Sequence, residues 1–137
     1  VVLYLLRQMY YDRRSTTGEI VKADRKGGKS MISSDVMRGY NDMLILYLIY
    51  EQPSYGYEIS KQIKEMSEGV YVMKETTLYS AFSRLEKLQY IEAFYGDESG
   101  GKRRTYYRIT EGGRRYYMEK CVEWREIQQV VEKFIRK

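Results

Sequence analysis

A chain of 137 residues is one domain's worth of sequence, long enough to bury a modest core without covalent staples. It contains no histidine and a single cysteine, Cys121, which excludes an internal disulfide, a one-chain thiolate metal cage and every nucleophile that relies on a histidine base. The formal charge of +5 is concentrated at the start, where Arg7, Arg13, Arg14, Lys22, Arg25, Lys26 and Lys29 against Asp12, Glu19 and Asp24 give residues 1–30 a net +4 and leave only +1 for the rest; the placement of charges, rather than their sum, must carry any argument for nucleic acid.

A lone thiol suits a reducing, cytoplasmic setting. No run approaches the roughly eighteen apolar residues of a membrane span, and VVLYLL is too short for a signal-peptide core. Neither a metal nor a cofactor is called for. After that apolar start, the leader becomes STTGEIVKADRKGGKS, with no sustained period. It reads as a loosely ordered extension through residue 30. Two origins fit it: a flexible basic arm, or a translated upstream region, since Lys26-Gly27-Gly28-Lys29 can be encoded by AAAGGAGGNAAR, which contains a ribosome-binding sequence just before Met31.

From Met31 the pattern predicts a winged-helix unit over 31–109 and a long helix over 110–137. Ser33, Ser34 and Asp35 offer N-caps to a helix in which Met43, Leu44, Leu46, Tyr47, Ile49 and Tyr50 make most faces apolar, and Pro53 ends it. Ser54 is expected to cap a second helix with Ile59, Ile63 and Met66 inward and Glu58, Lys61, Lys64 and Glu65 outward. Gly69 closes it, and Val70-Tyr71-Val72 reads as a strand-like link.

A third helix, from about Lys74 to Gln89, turns Leu78, Ala81, Phe82, Leu85 and Leu88 to the core. Its other faces carry Thr76, Thr77, Tyr79, Ser80, Ser83, Arg84 and Lys87. An ordinary solvated face is the competing reading, but such faces usually mix both signs to gain ion pairs one turn apart. Hydroxyls and cations with almost no acid suit phosphate oxygens and base edges.

Next, residues 91–95 alternate as a strand, Ser99-Gly100-Gly101 supplies a hairpin turn, and 105–109 return. Lys102, Arg103, Arg104 and Arg108 gather around that turn, and Asp97 and Glu98 are placed to pair with Arg103 or Arg104. A charged hairpin tip in water is the plain alternative. Helix, helix, hydroxyl-rich helix and basic hairpin form the order of a winged helix-turn-helix, whose third helix enters the major groove while the wing follows the backbone or minor groove. The fold class is therefore mostly α with a small β-hairpin.

The segments YGYEISKQIKE, TTLYSAFSRLEK and GDESGGKRRTYYRITEGG together resemble the PadR family of bacterial transcriptional repressors, over roughly Ser33 to Phe134. The most specific pieces are Leu78-Tyr79 and Tyr106-Tyr107-Arg108-Ile109-Thr110. The resemblance implies a winged-helix domain with a C-terminal helix that makes a homodimer. Two departures stand out: Gln89 occupies the place of a glycine that usually ends the recognition helix, leaving a left-handed cap without its usual residue, and the wing lacks a common proline.

Physics points the same way in the last helix. Thr110 is its N-cap, although Gly112 and Gly113 weaken its first turn. Tyr117, Cys121, Trp124, Val131 and Ile135 recur at near-heptad spacing, broken by Gln128, and Ile127, Val130 and Phe134 widen the apolar surface. So broad a face must be buried somewhere. The expected dimer interface is Tyr117, Cys121, Trp124, Ile127, Val131 and Phe134. For Trp124 two readings stand: a packing residue, or the wall of a ligand cavity. The second follows from a resemblance closest to the multidrug-sensing, LmrR-like branch, which implies planar aromatic effectors held between the two tryptophans; Glu123 and Glu126 would then lend negative charge.

The sequence thus predicts a dimeric, non-catalytic repressor of a double-stranded DNA operator. Thr76, Thr77, Tyr79, Ser80 and Ser83 are the expected base or phosphate contacts, Lys102, Arg103 and Arg104 grip from the wing, and Arg84 joins the set. The alternative is a winged-helix protein-interaction module without DNA binding.

Overall fold

A computed structural model of the chain describes residues 31–96 and 103–137. The chain enters through a short helix α1 (Ser34–Met37), capped by Ser33, whose Oγ accepts from the Val36 amide at 3.4 Å. It then turns through Gly39 and restarts as α2 (Asn41–Ile49). The single continuous helix expected from the pattern is therefore two. The break falls where a glycine costs a helix interior about 1 kcal/mol, and it frees Tyr40 to meet Trp124 edge-on at 5.0 Å.

Ser54 does not cap the next helix. It lies in a two-residue strand β1 (Ser54–Tyr55), is 9 % exposed, and pairs with Tyr107. The helix α3 (Gly56–Met66) begins directly after it with no side-chain cap. Ile59 and Ile63 are buried as expected, but Met66 is half exposed because the helix ends there.

The link after α3 is extended but unpaired with the sheet. Tyr71 and Met73 are buried in it, and the Tyr71 hydroxyl donates to buried Asn41 Oδ1 at 2.7 Å. Helix α4 (Glu75–Lys87) follows, with Leu78, Ala81, Phe82 and Leu85 inward. Leu88 is half exposed, since it is the C-cap rather than part of the stripe.

Strands β2 (Ile91–Gly96) and β3 (Arg104–Ile109) form the wing, and β1 adds a third strand in the antiparallel order β1-β3-β2. The fold is a winged helix whose sheet is one short strand wider than a hairpin. Tyr107 turns to the core and stacks on Phe82 at 4.0 Å. Its neighbour Tyr106, on the opposite face, stacks on Phe94 at 5.6 Å and meets Tyr55 at 5.4 Å.

Two helix ends are closed by left-handed residues that are not glycine. At α3, Glu68 (φ 53°) donates its amide to Glu65 and Gly69 donates to Lys64. At α4, Gln89 (φ 61°) donates to Glu86 and Tyr90 to Leu85, both at 2.9 Å. This is the paired Schellman pattern in each case. The left-handed cap therefore exists at Gln89 without the glycine.

The last helix, α5 (Glu111–Glu132), starts at Thr110, whose Oγ1 accepts from the Gly113 amide at 3.0 Å and donates to the Gln89 carbonyl at 2.7 Å. Gly113 serves close packing: a Cβ there would lie 2.1 Å from the Tyr90 carbonyl oxygen. The end of α4 and the start of α5 are thus one joint. Tyr117 then packs into the core between Tyr47 and Tyr50.

Candidate nucleic-acid interface

Helix α4 presents one face outward because its core stripe fixes its rotation. Thr76, Tyr79, Ser80 and Ser83 are exposed and Thr77 is half-buried. Tyr79 leans edge-on against Phe82 at 5.7 Å, which anchors its ring while leaving it about half exposed. Between Thr76 and Ser83 there is no acidic residue. Glu75 and Glu86 lie outside that stretch.

Arg84, exposed on the same helix, is engaged by a partner within the chain. Its guanidinium reaches back to α2, where Nε donates to Asp42 Oδ2 at 3.3 Å and Nη2 to Oδ1. The Asp42 carboxylate is only 15 % exposed, and the hydrogen bond from Arg84 holds the guanidinium above its ordinary pKa. A charge so engaged clamps α4 onto α2. Sequence reasoning missed it because the partner lies 42 residues away. Lys87 is exposed.

On the wing, Arg103 and Arg104 are exposed, whereas Lys102, Asp97, Glu98 and the Ser99-Gly100-Gly101 turn lie outside the described residues. Arg104 stacks over the Tyr55 ring at 4.0 Å. Arg108 is held differently, over Phe94 at 4.6 Å and paired with Glu92 across the strands at 3.2 Å. Its charge is neutralised within the sheet.

Helix α4, the start of α3 and the hairpin strand β3 share a groove of about 300 Å³, lined by Tyr55, Gly56, Tyr57, Tyr79, Arg104, Thr105 and Tyr107. Thus Tyr79 and Arg104, 25 positions apart, open into one space. Sequence reasoning assigns the run Tyr55-Gly56-Tyr57 no individual role; a glycine between two tyrosines just past a proline is the signal that points to it.

At the other end of the molecule, α5 runs past the core. Val122, Val130 and Val131 are each about half exposed, Trp124 is 38 % exposed, and Phe134 and Ile135, beyond the last helical turn, are more open still. Cys121 and Ile127 are half-buried. Tyr117 is the exception among the expected interface residues: its ring is buried in the core of its own chain, where burial also pushes its hydroxyl's pKa up. A recess of about 30 Å³ lies beside Trp124, floored by Tyr40 and Met43. Glu123 on its rim accepts from Lys120 at 2.9 Å, so the carboxylate already has a cation. No helix among the described residues is long and apolar enough to cross a membrane.

Comparison with known proteins places this arrangement. Residues 45–119 match the transcriptional regulator PadR-like family. A protein of Lysinibacillus sphaericus is 47% identical over 105 residues, covering 77% of this chain and 96% of its own length. The solved structure of a transcriptional regulator from Clostridium thermocellum is 57% identical, with a TM-score of 0.71 over 75% of this chain and 100% of its own. A PadR family transcription regulator from Clostridium difficile is 38% identical, with a TM-score of 0.62 over 69% of this chain and 97% of its own. With more than half of its length under the family model and relatives this similar along nearly their whole lengths, the chain belongs to the PadR-like family of transcriptional regulators.

Proposed function

We propose that this regulator is a homodimeric, sequence-specific repressor that reads duplex DNA with Thr76, Thr77, Tyr79, Ser80 and Ser83 and grips its backbone with Arg103 and Arg104. The observation that supports the reading is that Tyr79, on the acid-free face of α4, and the Arg104 side chain open into one groove, an arrangement that suits a helix in the major groove and a wing on the flanking backbone. Arg84 is left out of the contact set because Asp42 holds it.

The exposed apolar residues of α5 support self-association. A helix that shows Val122, Trp124, Val130 and Val131 to water gains by covering them with a second copy. We take Trp124, Ile127, Val131 and Phe134 as the centre of that interface, with Cys121 at its edge. Two α5 helices crossing near Trp124 would bring two recesses together. One recess of about 30 Å³ is far below the several hundred Å³ of a drug-sized site, so a planar aromatic effector of the multidrug-sensing branch needs both protomers to enclose it. Tyr40 braces each indole from behind.

The test is selection of bound duplexes from a random pool by the full chain. A dimeric reader enriches an inverted repeat with half-sites about 34–36 Å apart or a multiple of that. No enrichment, with binding indifferent to salt, would instead favour the protein-interaction reading.

A further inference from the structure

We infer that the first turn of α2 is a relay between α5 and the DNA-reading helix α4: Tyr40 packs on Trp124, while Asn41 and Asp42 hold the two ends of α4. The inference rests on the DNA-binding reading and adds to it a regulatory route and two positioning residues, Asp42 and Arg84, neither of which that reading sets on DNA.

Three consecutive residues carry the connection. Tyr40, the N-cap of α2, meets Trp124 edge-on at 5.0 Å with the rings at 76°. Buried Asn41 accepts from the Tyr71 hydroxyl at 2.7 Å, and Tyr71 lies in the link that leads into α4. Asp42 accepts from both Nε and Nη2 of Arg84, in the last turn of α4. One turn of α2 thus touches α5, the entry to α4 and its exit.

Energetics indicate what the Arg84 contact is for. The guanidinium is 49 % exposed, and an ion pair so open to water adds little to stability. A fork closed on both carboxylate oxygens nonetheless fixes separation and orientation, which a single hydrogen bond does not. What it orients is the hydroxyl face, since Ser80 lies one turn before Arg84 and Ser83 stands next to it. The entry to α4 is set by the bond between Tyr71 and Asn41, which is buried and therefore costly to break. Held at both ends, α4 follows a shift of that turn as a unit.

The α5 side makes the same turn sensitive to events at Trp124. The indole is partly exposed, and edge-on ring pairs prefer one arrangement. Displacing the indole releases Tyr40, two residues from the carboxylate that holds Arg84. Coupling between two sites is a shared free energy and acts equally in both directions. Duplex bound to α4 is therefore felt at Trp124.

The test uses the full chain and the emission of Trp124, the one tryptophan in the sequence, excited selectively. Wild type, Asp42→Asn, Arg84→Gln and the double variant are titrated with an unlabelled mixed-sequence duplex. Affinities are measured in parallel by anisotropy of a fluorescein-labelled copy across a potassium chloride series. In wild type, saturating duplex should shift the emission. Each single variant should lose at least about half of that shift and bind about threefold more weakly or worse, with an unchanged salt slope because no phosphate contact is removed. A change in net charge alone would move the two variants in opposite directions. The double variant should be no weaker than the weaker single, since both residues serve one contact. Circular dichroism confirms folding, and either single variant suffices if the other fails to fold. Tighter binding by Asp42→Asn, or a slope lowered by about 0.9 in Arg84→Gln, would make Arg84 a phosphate ligand and overturn the positioning role. Duplex that binds wild type without moving the emission, or moves it equally in the variants, overturns the relay and leaves the DNA reading standing. A wild type that binds no duplex overturns that reading, and the relay with it.

Discussion

Gln89 carries a left-handed backbone (φ 61°) at the joint between α4 and the wing strand β2. An L-residue in that conformation costs about 1–2 kcal/mol, and glycine removes the cost while losing about 0.5–1 kcal/mol more backbone entropy on folding. Every bond the residue makes at the joint comes from its backbone: the amide to Glu86 and the carbonyl from Thr110 Oγ1. Gln89→Gly keeps them all. The net expectation is a stabilisation of about 0.5–1 kcal/mol, or a rise in Tm of about 2–8 °C for a domain of this size. Gln89→Ala is the control, since it trims the side chain but retains Cβ and should gain nothing. Thermal unfolding by circular dichroism at fixed protein concentration measures both, the concentration being held because the Tm of the proposed dimer would depend on it. A Gln89→Gly variant no more stable than wild type, or an alanine variant that gains as much, would show that the left-handed backbone at position 89 carries no cost.

Burial raises the Tyr117 hydroxyl's pKa, so the folded state keeps a proton that the unfolded chain sheds above about pH 10. Stability is then fully present below that pH and falls as pH rises past it; Tyr117→Phe should flatten the alkaline limb in denaturant melts, and an unchanged limb would contradict the assignment. Trp124→Ala should bind planar aromatic dyes at least about tenfold more weakly by calorimetry, a loss of about 1.4 kcal/mol or more, while equal affinity with an intact dimer would return Trp124 to packing. The double substitution Arg103→Ala, Arg104→Ala should weaken binding to all duplexes and reduce the salt slope by about 0.9 for each phosphate that the wing no longer neutralises; an unaltered slope would remove the wing from the interface.

Much of this molecule can be read from periodicity. The stripe of Leu78, Phe82 and Leu85 orients α4, and with it the exposed hydroxyl face, from spacing alone. Contacts between residues distant in sequence are what periodicity does not encode. Arg84 looks like one more cation on a basic helix until Asp42 of α2 is seen beside it. Tyr117 fits a heptad seam, yet α5 lies on the core at that level and only its later turns emerge. Ser54 has the chemistry of a cap, but pairing with Tyr107 claims its backbone for the sheet. Gly113 reads as a helix weakener because the Tyr90 carbonyl it accommodates belongs to another element. Gln89 shows the converse, a local rule overridden by the joint it closes.

In the proposed mode of binding, α4 reads sequence while the wing holds the backbone. Binding profiles of the wild type, of Thr76→Ala with Ser80→Ala, and of Arg103→Ala with Arg104→Ala against one randomised duplex library test it most directly. The account predicts that the helix variant changes which sequences are preferred, with a discrimination loss of about 1–3 kcal/mol at each affected base, whereas the wing variant lowers every affinity by a similar factor and keeps the same order of preference. A helix variant with the wild-type order of preference, or a wing variant that reorders it, would contradict the account.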